Sequence, residues 1–332
     1  MRAAARKIHS FAAFLRAMLC SFASIVLRYK GRLALSVLAA GILTCPLGAF
    51  GESLILAKTL DVGIKDPVVL QIDVSNSDVS IGYSRDGQVS VQVYANDDTD
   101  KSKIAGFVET GLLVELDGSR VTISDSAMIA ISTGVNRPIS YQIDVPFRTQ
   151  VRCSLSGIGK QKVMGITGPA NLISDWGDID VSYVRFAPVY AKTGKGNISA
   201  TRLFGVNAET GDGNIVVMEA GSSRARIVQG HGRIEAGGMR GYFSGSTSGG
   251  DIHVKAVPHE NWEIKSVSGS IRVELPENAK FTIDASTESG EISVERSGVG
   301  DPAGTVRQIA RAINGGGKLI QLHTTKGNIV IQ

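Results

Sequence analysis

Cysteine, proline and aromatic residues are scarce in this chain of 332 residues, which holds 3 Cys, 9 Pro and 2 Trp, with 6% aromatic side chains. Cys20 and Cys45 lie in an N-terminal leader segment, so Cys153 would be alone in a mature chain. A single cysteine cannot form an internal disulfide, and we expect Cys153 to be buried as a small apolar residue rather than reactive. A disulfide-stapled scaffold is thereby excluded, and the fold must be held by its core and its backbone hydrogen bonds.

Acidic residues are missing from the N-terminal segment. Residues 1–32 hold seven basic residues and no acidic one, and the stretch from Leu33 to Gly51 is uncharged. Ala49 and Gly51 put small residues at the −3 and −1 positions of a cleavage site before Glu52, which is typical of a secretory signal peptide. An uncleaved membrane anchor is the alternative, because the apolar run approaches the roughly 20 residues that a span needs. We therefore interpret residues 1–51 as a signal peptide or membrane anchor of an exported protein, periplasmic or at the cell surface.

The whole-chain charge of +4 depends on this leader. Without its seven positive charges, the 35 basic residues fall to 28 against 31 acidic ones, a net charge of −3. The basicity is therefore a targeting feature and not the footprint of a nucleic-acid-binding protein. Contact with a membrane is expected only through an uncleaved leader.

Glycine, in contrast, is abundant, with 39 residues, and much of it belongs to an internal repeat. The pattern glycine, polar residue, isoleucine recurs every 17 to 21 residues, with a last interval of 37. Its glycines are Gly177, Gly196, Gly213, Gly232, Gly250, Gly269, Gly290 and Gly327. A degenerate copy is expected at Gly159, 18 residues before the first.

Alignment on these glycines produces columns of equivalent residues. The isoleucine column is followed two residues later by Val, Ala or Ile, as in Ile179 and Val181. Seven residues before the glycine lies an apolar column: Ala170, Val189, Val206, Ala225, Phe243, Trp262, Ile283 and Ile320. Three residues before it lies a column of hydroxyl residues, with Gln229 as its exception: Ser174, Thr193, Thr210, Gln229, Thr247, Ser266, Thr287 and Thr324. Apolar and polar positions alternate, which indicates strands with one buried face on either side of a glycine turn.

A unit of about 18 residues cannot bury a strand face alone, whereas stacking of units buries like residues on like. The sequence therefore predicts an all-β fold, a single-stranded parallel β-solenoid or β-helix of about 18–19 residues per rung, with about eight or nine rungs and an N-terminal hydrophobic leader. A β-propeller is the competing fold, but its blades need about 40 residues.

The first half of the mature chain also alternates, with a looser period. We expect strands around Val68–Val74, Asp78–Ile81, Gln88–Val93, Leu112–Leu116 and Ser140–Pro146, with turns at Asp86–Gly87 and Asp117–Gly118. Residues 52–150 are assigned to an N-terminal β region that caps the solenoid or forms its first coils, and residues 151–332 to the repeat solenoid. An insert at 297–317 interrupts the repeats, and its apolar spacing from Thr305 to Ile313 suits a short helix or an excursion over the C-terminal end.

The segment Trp262–Pro276, the Ser289–Ile292 turn and the Gly-rich run that leads to Thr325–Ile329 resemble the putative-adhesin β-strand-repeat family, bacterial envelope proteins largely described as a domain of unknown function. Ile143–Pro146 is similar to the start of that family's repeats. The resemblance covers about residues 66–332 and implies a β-solenoid in an envelope or surface setting. It implies no catalytic residues.

Chemical motifs are missing as well. The Gly-x-Gly triplets at Gly194, Gly211 and Gly230 continue into neither a dinucleotide fingerprint nor a phosphate-binding loop, and no Gly-x-Ser-x-Gly elbow exists. The histidines after the leader occupy four different positions in the repeat, which argues against a zinc site: His231, His253, His259 and His323. We therefore expect no catalytic, cofactor-binding or metal-binding residues and no cofactor.

Two further groups of residues give weaker signals for a binding site, and we interpret both as structural. Asp178, Asp212 and Asp251, with Glu209 or Glu291, could line one edge and bind a cation or a sugar, but solvated turn residues are the better interpretation. Four aromatic residues near one rung could form a carbohydrate platform, but core filling or an edge cover is preferred: Trp176, Tyr183, Phe186 and Tyr190.

The sequence therefore favours a non-enzymatic exported envelope protein, a solenoid scaffold or adhesin-like binding module. It does not identify the partner, for which an envelope protein and a polysaccharide are the candidates. A carbohydrate-active β-helix lyase or hydrolase is the alternative, and would need carboxylates within about 5–10 Å of one another in a cleft. A membrane-anchored sensor domain is a third hypothesis, if the leader is retained.

Overall fold

A computed structural model describes residues 52–62, 67–85, 87–96, 111–125, 139–295 and 306–332. The predicted leader, its cleavage site and the first part of the predicted insert lie outside these residues. The secondary structure in the described ranges consists of β-strands. No helix among them is long and apolar enough to span a membrane.

The strands of the N-terminal half are β1 (Glu52–Asp61), β2 (Val69–Ser75), β3 (Ser77–Ser84), β4 (Gln88–Asn96), β5 (Leu112–Asp117), β6 (Arg120–Asp125), β7 (Ile139–Pro146), β8 (Gln150–Ile158), β9 (Gln161–Met164), β10 (Ala170–Trp176), β11 (Ile179–Ser182), β12 (Pro188–Lys195) and β13 (Ile198–Thr201). Those of the C-terminal half are β14 (Gly205–Asp212), β15 (Ile215–Met218), β16 (Ser222–His231), β17 (Ile234–Gly237), β18 (Phe243–Gly249), β19 (Ile252–Lys255), β20 (Trp262–Ser268), β21 (Ile271–Glu274), β22 (Phe281–Ser289), β23 (Ile292–Val294), β24 (Gln308–Ile313), β25 (Lys318–Lys326) and β26 (Ile329–Ile331).

The strands form two 13-stranded sheets. Sheet A has the order β1-β4-β7-β3-β9-β11-β13-β15-β17-β19-β21-β26-β23, and sheet B has the order β24-β22-β25-β20-β18-β16-β14-β12-β10-β8-β2-β6-β5. Each rung contributes one strand to each sheet. From β8 to β22, a glycine turn leads from each strand of sheet B to the following strand of sheet A, and a return turn leads from sheet A back to sheet B. The predicted parallel β-solenoid is confirmed, and the described residues from β8 to β26 form nine parallel rungs, within the expected eight or nine. The strands β2 and β3, and β6 and β7, add two further parallel rungs from the N-terminal region.

The predicted isoleucine column is confirmed strand by strand. Ile179 pairs with Ile198, Ile198 with Ile215, and Ile215 with Ile234. Ile215 and Ile234 are fully buried. The degenerate rung at Gly159 also exists, and its Gln161 stands beside Ile179 in this column. Branched side chains pack well on the pleated surface, so repetition of one residue type fills the core without voids.

The glycine turns require glycine because the backbones of successive rungs touch there. A Cβ on Gly196, whose φ is 152°, would lie 2.2 Å from the carbonyl oxygen of Gly177. The predicted hydroxyl column lies beside this contact. Thr193 Oγ1 donates to the Gly177 carbonyl over 2.9 Å, and Thr210 Oγ1 donates to the Gly196 carbonyl over 3.0 Å. The hydroxyls therefore bond each turn to its neighbour rather than forming a ladder among themselves.

The expected columns are wrong in one rung. The strand β16 places Ser223, not Ala225, beside Val206 and Phe243, and Ile227, not Gln229, beside Thr210 and Thr247. A register shift between Ile227 and His231 absorbs the two extra residues. Counting back from the glycine therefore misassigns this rung, because a bulge changes the length of a strand without changing the period of the repeat.

The stacking order departs from chain order at both ends of the solenoid. The last rung, β25 and β26, lies between the rung of β20 and β21 and the rung of β22 and β23. At the other end the rung of β2 and β3 lies between the rung of β6 and β7 and the rung of β8 and β9. Consequently β3 and β4, which flank the turn predicted at Asp86–Gly87, do not pair with each other, since β7 separates them. The hairpin predicted at Asp117–Gly118 does form between β5 and β6.

The short helix that was one of the two expectations for the insert is wrong for residues 306–317, the part of the insert that the structure describes. Residues Gln308–Ile313 form β24, which runs antiparallel to β22 on the outermost rung. The carbonyls of Val306 and Arg307 accept the backbone N–H groups of Ile292 and Thr287. A strand prevails because the backbone groups of the last parallel strand would otherwise be unpaired. The segment thus makes an excursion over the C-terminal end. The division at residues 51 and 150 remains a prediction.

Candidate functional site

The described residues hold no group of three or more His, Cys, Asp or Glu side chains that could bind a metal ion. The four histidines occupy different positions in their rungs. His253 Nε2 lies 2.9 Å from Glu274 Oε1, and His323 Nδ1 lies 3.0 Å from the Ser286 hydroxyl. His259 is exposed on a return turn, and His231 ends the irregular strand β16. The absence of catalytic, cofactor and metal residues remains a prediction.

The acidic residues of the glycine turns have a structural role that was not predicted from the sequence. Asp178 Oδ1 accepts the backbone N–H of Asn197 over 2.9 Å, and Asp251 Oδ1 accepts that of Ser270 over 2.8 Å. Asn197 and Asn214 continue the same ladder from rung to rung. The preference for Asp, Asn and Ser directly after the glycine was the available signal, because these short side chains accept a hydrogen bond from a neighbouring backbone.

Asp212 and Glu209 lie elsewhere. Asp212 precedes its glycine, and its exposed carboxylate stands beside Gly230 of the next rung. Glu209 Oε1 lies 2.8 Å from Lys192 Nζ on the outer face of sheet B. The structure therefore distributes the acidic residues over two faces and does not bring them into one site.

The four aromatic residues do not form one platform either. Trp176 is at the glycine-turn end of its rung, with Lys195 Nζ 5.9 Å from its ring centre. Tyr183 and Phe186 are at the opposite end, in the return turn, and Tyr190 lies in β12 on sheet B. None of the four fills the core, which corrects that part of the preferred interpretation, and Phe186 is 75% exposed.

Tyr183 belongs to a chain of contacts along the return turns. The Arg202 guanidinium lies 5.2 Å from the Tyr183 ring centre and donates to its hydroxyl, while Arg202 Nε donates to Glu219 over 3.0 Å. The three residues hold the same position in successive rungs, and all have positive φ, between 53° and 60°. A positive φ is unfavourable for residues other than glycine. The contacts among these three side chains therefore stabilise a strained stretch of backbone.

A cleft of about 590 Å³ opens beside the bulge of β16. Its charged lining comes from His231, Arg233, Glu235 and Asp251. A smaller cleft of about 190 Å³ lies on the outer face of sheet B, where Asp284, Ser286 and His323 meet Glu263 and Lys265. The second cleft exists because β25 is inserted next to β22, and no sequence signal could have located it.

A buried polar cluster closes the N-terminal end. Asp125 Oδ1 accepts hydrogen bonds from the Ser75 backbone N–H and hydroxyl, and its Oδ2 accepts the Tyr141 hydroxyl over 2.9 Å. Burial raises the pKa of Asp125, although the bonds from Ser75 and Tyr141 act in the opposite direction. Burial also raises the pKa of Tyr141, so the phenol stays a donor. The cluster is suited to structural support rather than to contact with solvent.

Cys153 is buried in the core, as predicted. Burial raises the pKa of its thiol far above the ordinary value, so the nucleophilic thiolate is strongly disfavoured. The residue is therefore not a candidate nucleophile.

The model of the Toastrack DUF4097 family matches residues 69–332. Three solved structures are similar to this chain. A putative adhesin from Bacteroides fragilis is 15% identical over 84% of this chain and 97% of its own, with a TM-score of 0.42. A putative lipid binding protein from Parabacteroides distasonis is 14% identical over 86% and 98%, with a TM-score of 0.42. A putative adhesin from Parabacteroides merdae is 12% identical over 86% and 98%, with a TM-score of 0.35. No curated protein matches the chain.

Proposed function

Since the chain belongs to the Toastrack DUF4097 family, whose function is unknown, we propose that it is a non-enzymatic exported envelope protein whose solenoid acts as a scaffold or adhesin-like binding module. The observation that carries the proposal is the outer surface of the two sheets. Equivalent outward positions are repeated in every rung at the strand spacing of about 4.8 Å, which creates long regular faces suited to extended partners. From β8 to β22, the turns between the rungs are short.

Several charged residues on these faces are paired with one another. Glu274 lies within 3.2 Å of Lys255 Nζ and within 3.5 Å of Arg272 Nε, besides its contact with His253. Lys192 and Glu209 form a similar pair on sheet B. Such exposed pairs add little stability but create a mixed-charge surface that can exchange its partners on binding.

A polysaccharide assay separates binding from catalysis. We expect the purified chain to bind insoluble peptidoglycan sacculi saturably while releasing no reducing ends or unsaturated sugars. The variant Ile215→Asp should abolish binding, because a carboxylate in the fully buried column unfolds the neighbouring rungs. Val216→Asp, which changes the adjacent outward residue, is the matched control for folding and should keep the melting temperature of the natural protein. Release of sugar products, or no saturable binding to sacculi and to isolated cell envelopes, would contradict the proposal.

One observation favours the alternative of a carbohydrate-active enzyme: the larger cleft holds two carboxylates, Glu235 and Asp251. Asp251 already accepts the Ser270 N–H in the turn ladder. Glu235→Gln would therefore be the decisive variant if sugar release were found, and should abolish it without changing the melting temperature.

A further inference from the structure

The return turns carry a surface that the proposed function does not use. We call it the aromatic edge. It comprises the exposed apolar residues Tyr83, Phe147, Met164, Phe186 and Phe204 and the exposed basic residues Arg85, Arg148, Arg185 and Arg202. We propose that the aromatic edge is a docking surface for an anionic lipid membrane, which receives the aromatic tips between its headgroups and holds the arginines at its phosphates.

The exposure of the apolar residues is the first support. Phe186 is 75% exposed and Phe204 is 60% exposed, on return turns of adjacent rungs. Phe147 and Tyr83 extend the row and contact each other edge to face, with ring centres 6.3 Å apart. Water contact of several large rings in one row is unfavourable in an isolated protein and marks an interaction surface.

The charge of the edge is the second support. In the described residues, the turn segments 146–149, 165–169, 183–187 and 202–204 contain three arginines and no acidic residue. Arg202 pairs with Glu219 of the next turn, so Arg148 and Arg185 supply the positive charge for an anionic partner. The Arg148 guanidinium lies 5.7 Å from the Phe147 ring centre, so positive charge and apolar surface are adjacent. Arginine beside exposed phenylalanine suits an anionic interface, where the ring enters the acyl boundary and the guanidinium binds phosphate.

The shape of the edge is the third support. The turns are joined by backbone hydrogen bonds, from Thr167 N–H to the Phe147 carbonyl over 2.7 Å and from Phe204 N–H to the Val184 carbonyl over 2.8 Å. The turns therefore form a continuous, hydrogen-bonded row. Neighbouring turn tips in such a row can contact a lipid surface together. A polysaccharide would need open ring faces with polar groups for its hydroxyls, whereas Arg148 and Tyr83 already contact the Phe147 ring.

The test uses the full chain and vesicles of phosphatidylcholine, with or without phosphatidylglycerol. Because an uncleaved leader would insert into both kinds of vesicle, the local measurement is amide hydrogen exchange in residues 183–187 and 202–204. We expect phosphatidylglycerol vesicles to slow exchange there about tenfold, neutral vesicles to have no such effect, and high salt to reverse the protection.

Two pairs of double variants provide the controls. Phe186→Ser with Phe204→Ser should remove the protection, whereas Trp176→Ser with Val267→Ser should not, since those two residues are exposed apolar residues at the opposite, glycine-turn end of their rungs. Arg148→Gln with Arg185→Gln should weaken it about tenfold, whereas Arg152→Gln with Arg233→Gln should leave it unchanged.

Equal effects of the matched pairs, or no protection with phosphatidylglycerol, would overturn the proposal. Protection by soluble polygalacturonate that persists in the serine variant of the edge would also overturn it, in favour of an acidic polysaccharide. The edge residues changed in this test lie in the return turns and not in the strands of the sheet faces, so this test and the sacculus assay can fail independently.

Discussion

At the residue scale, the position after each glycine is the most instructive. The variation among Asp, Asn, Arg, Ser and Glu suggested a solvent-facing residue, yet Asp178 and Asp251 bond the next rung. Exposure and structural use coexist here because the acceptor is a side-chain oxygen at the surface and the donor is a backbone N–H.

Replacement of Asp178 by Ala tests this role. We expect a loss of about 1 kcal/mol in the free energy of unfolding, because the Asn197 N–H loses its acceptor. Asp212→Ala is the matched control, an exposed aspartate before its glycine, and should leave stability almost unchanged. Denaturant titrations of both variants measure the difference. Equal losses would show that the turn ladder does not stabilise the stack.

Asp125 offers a prediction for pH. Its pKa is raised in the folded protein, so the folded state keeps the proton at a pH where the unfolded chain has released it. The stabilising contribution is fully present below the unfolded pKa of about 3.9 and is lost as the pH rises through the folded value. Asp125→Asn cannot titrate but still offers an oxygen to Ser75.

We therefore expect the stability of the natural protein relative to Asp125→Asn to be greatest near pH 4 and to fall toward pH 7. Urea midpoints of both proteins at the two pH values provide the measurement. A difference independent of pH, or one that grows toward pH 7, would contradict the assignment.

At the scale of the element, the C-terminal rung is an internal part of the stack. The strand β25 pairs with β20 on one side and with β22 on the other, and β26 lies between β21 and β23. The chain end therefore fills a gap between two rungs that precede it in sequence.

Deletion of residues 318–332 should expose both of those rungs. We expect amides of β22 and β23 to lose their protection from hydrogen exchange, and a peptide of residues 318–332 to restore it by pairing with the open strands. A peptide with Leu322→Asp, whose leucine is buried in the intact protein, is the control and should not restore it. Unchanged exchange after the deletion would argue against the inserted position.

At the scale of the whole molecule, cleavage of residues 1–51 would release the protein, and their retention would anchor it in a membrane. Both the small residues before Glu52 and the length of the apolar run are properties of the leader alone. The aromatic edge is a second route to a lipid surface, and it would act in either case.

Mass spectrometry of the exported protein distinguishes the two forms. We expect an N-terminus at Glu52, because the segment before it has the order of charge, apolar run and small residues of a cleaved signal peptide. A chain exported with residues 1–51 intact would contradict cleavage and place the solenoid at a membrane.

The sequence by itself determined the structure of a single rung, with its two strands and the turn between them. Alternation sets which face of each strand is buried, and the recurring glycine sets where the chain turns, so the isoleucine column and the solenoid could be predicted without coordinates. Both are local consequences of the period, and the resemblance to a known repeat family agreed with them.

Only the tertiary structure decided the order of the rungs at the ends, the bulge of β16, the strand in place of a helix at 308–313 and the clefts. The physical reason is that the rungs are nearly interchangeable: any isoleucine stacks well on any other. Which rung lies beside which is therefore settled by the pairing of strand edges and by the connections between them, and these depend on contacts far apart in the chain. The same holds for the aromatic edge, whose members are separated by up to 121 positions from Tyr83 to Phe204 and meet only because the turns are stacked.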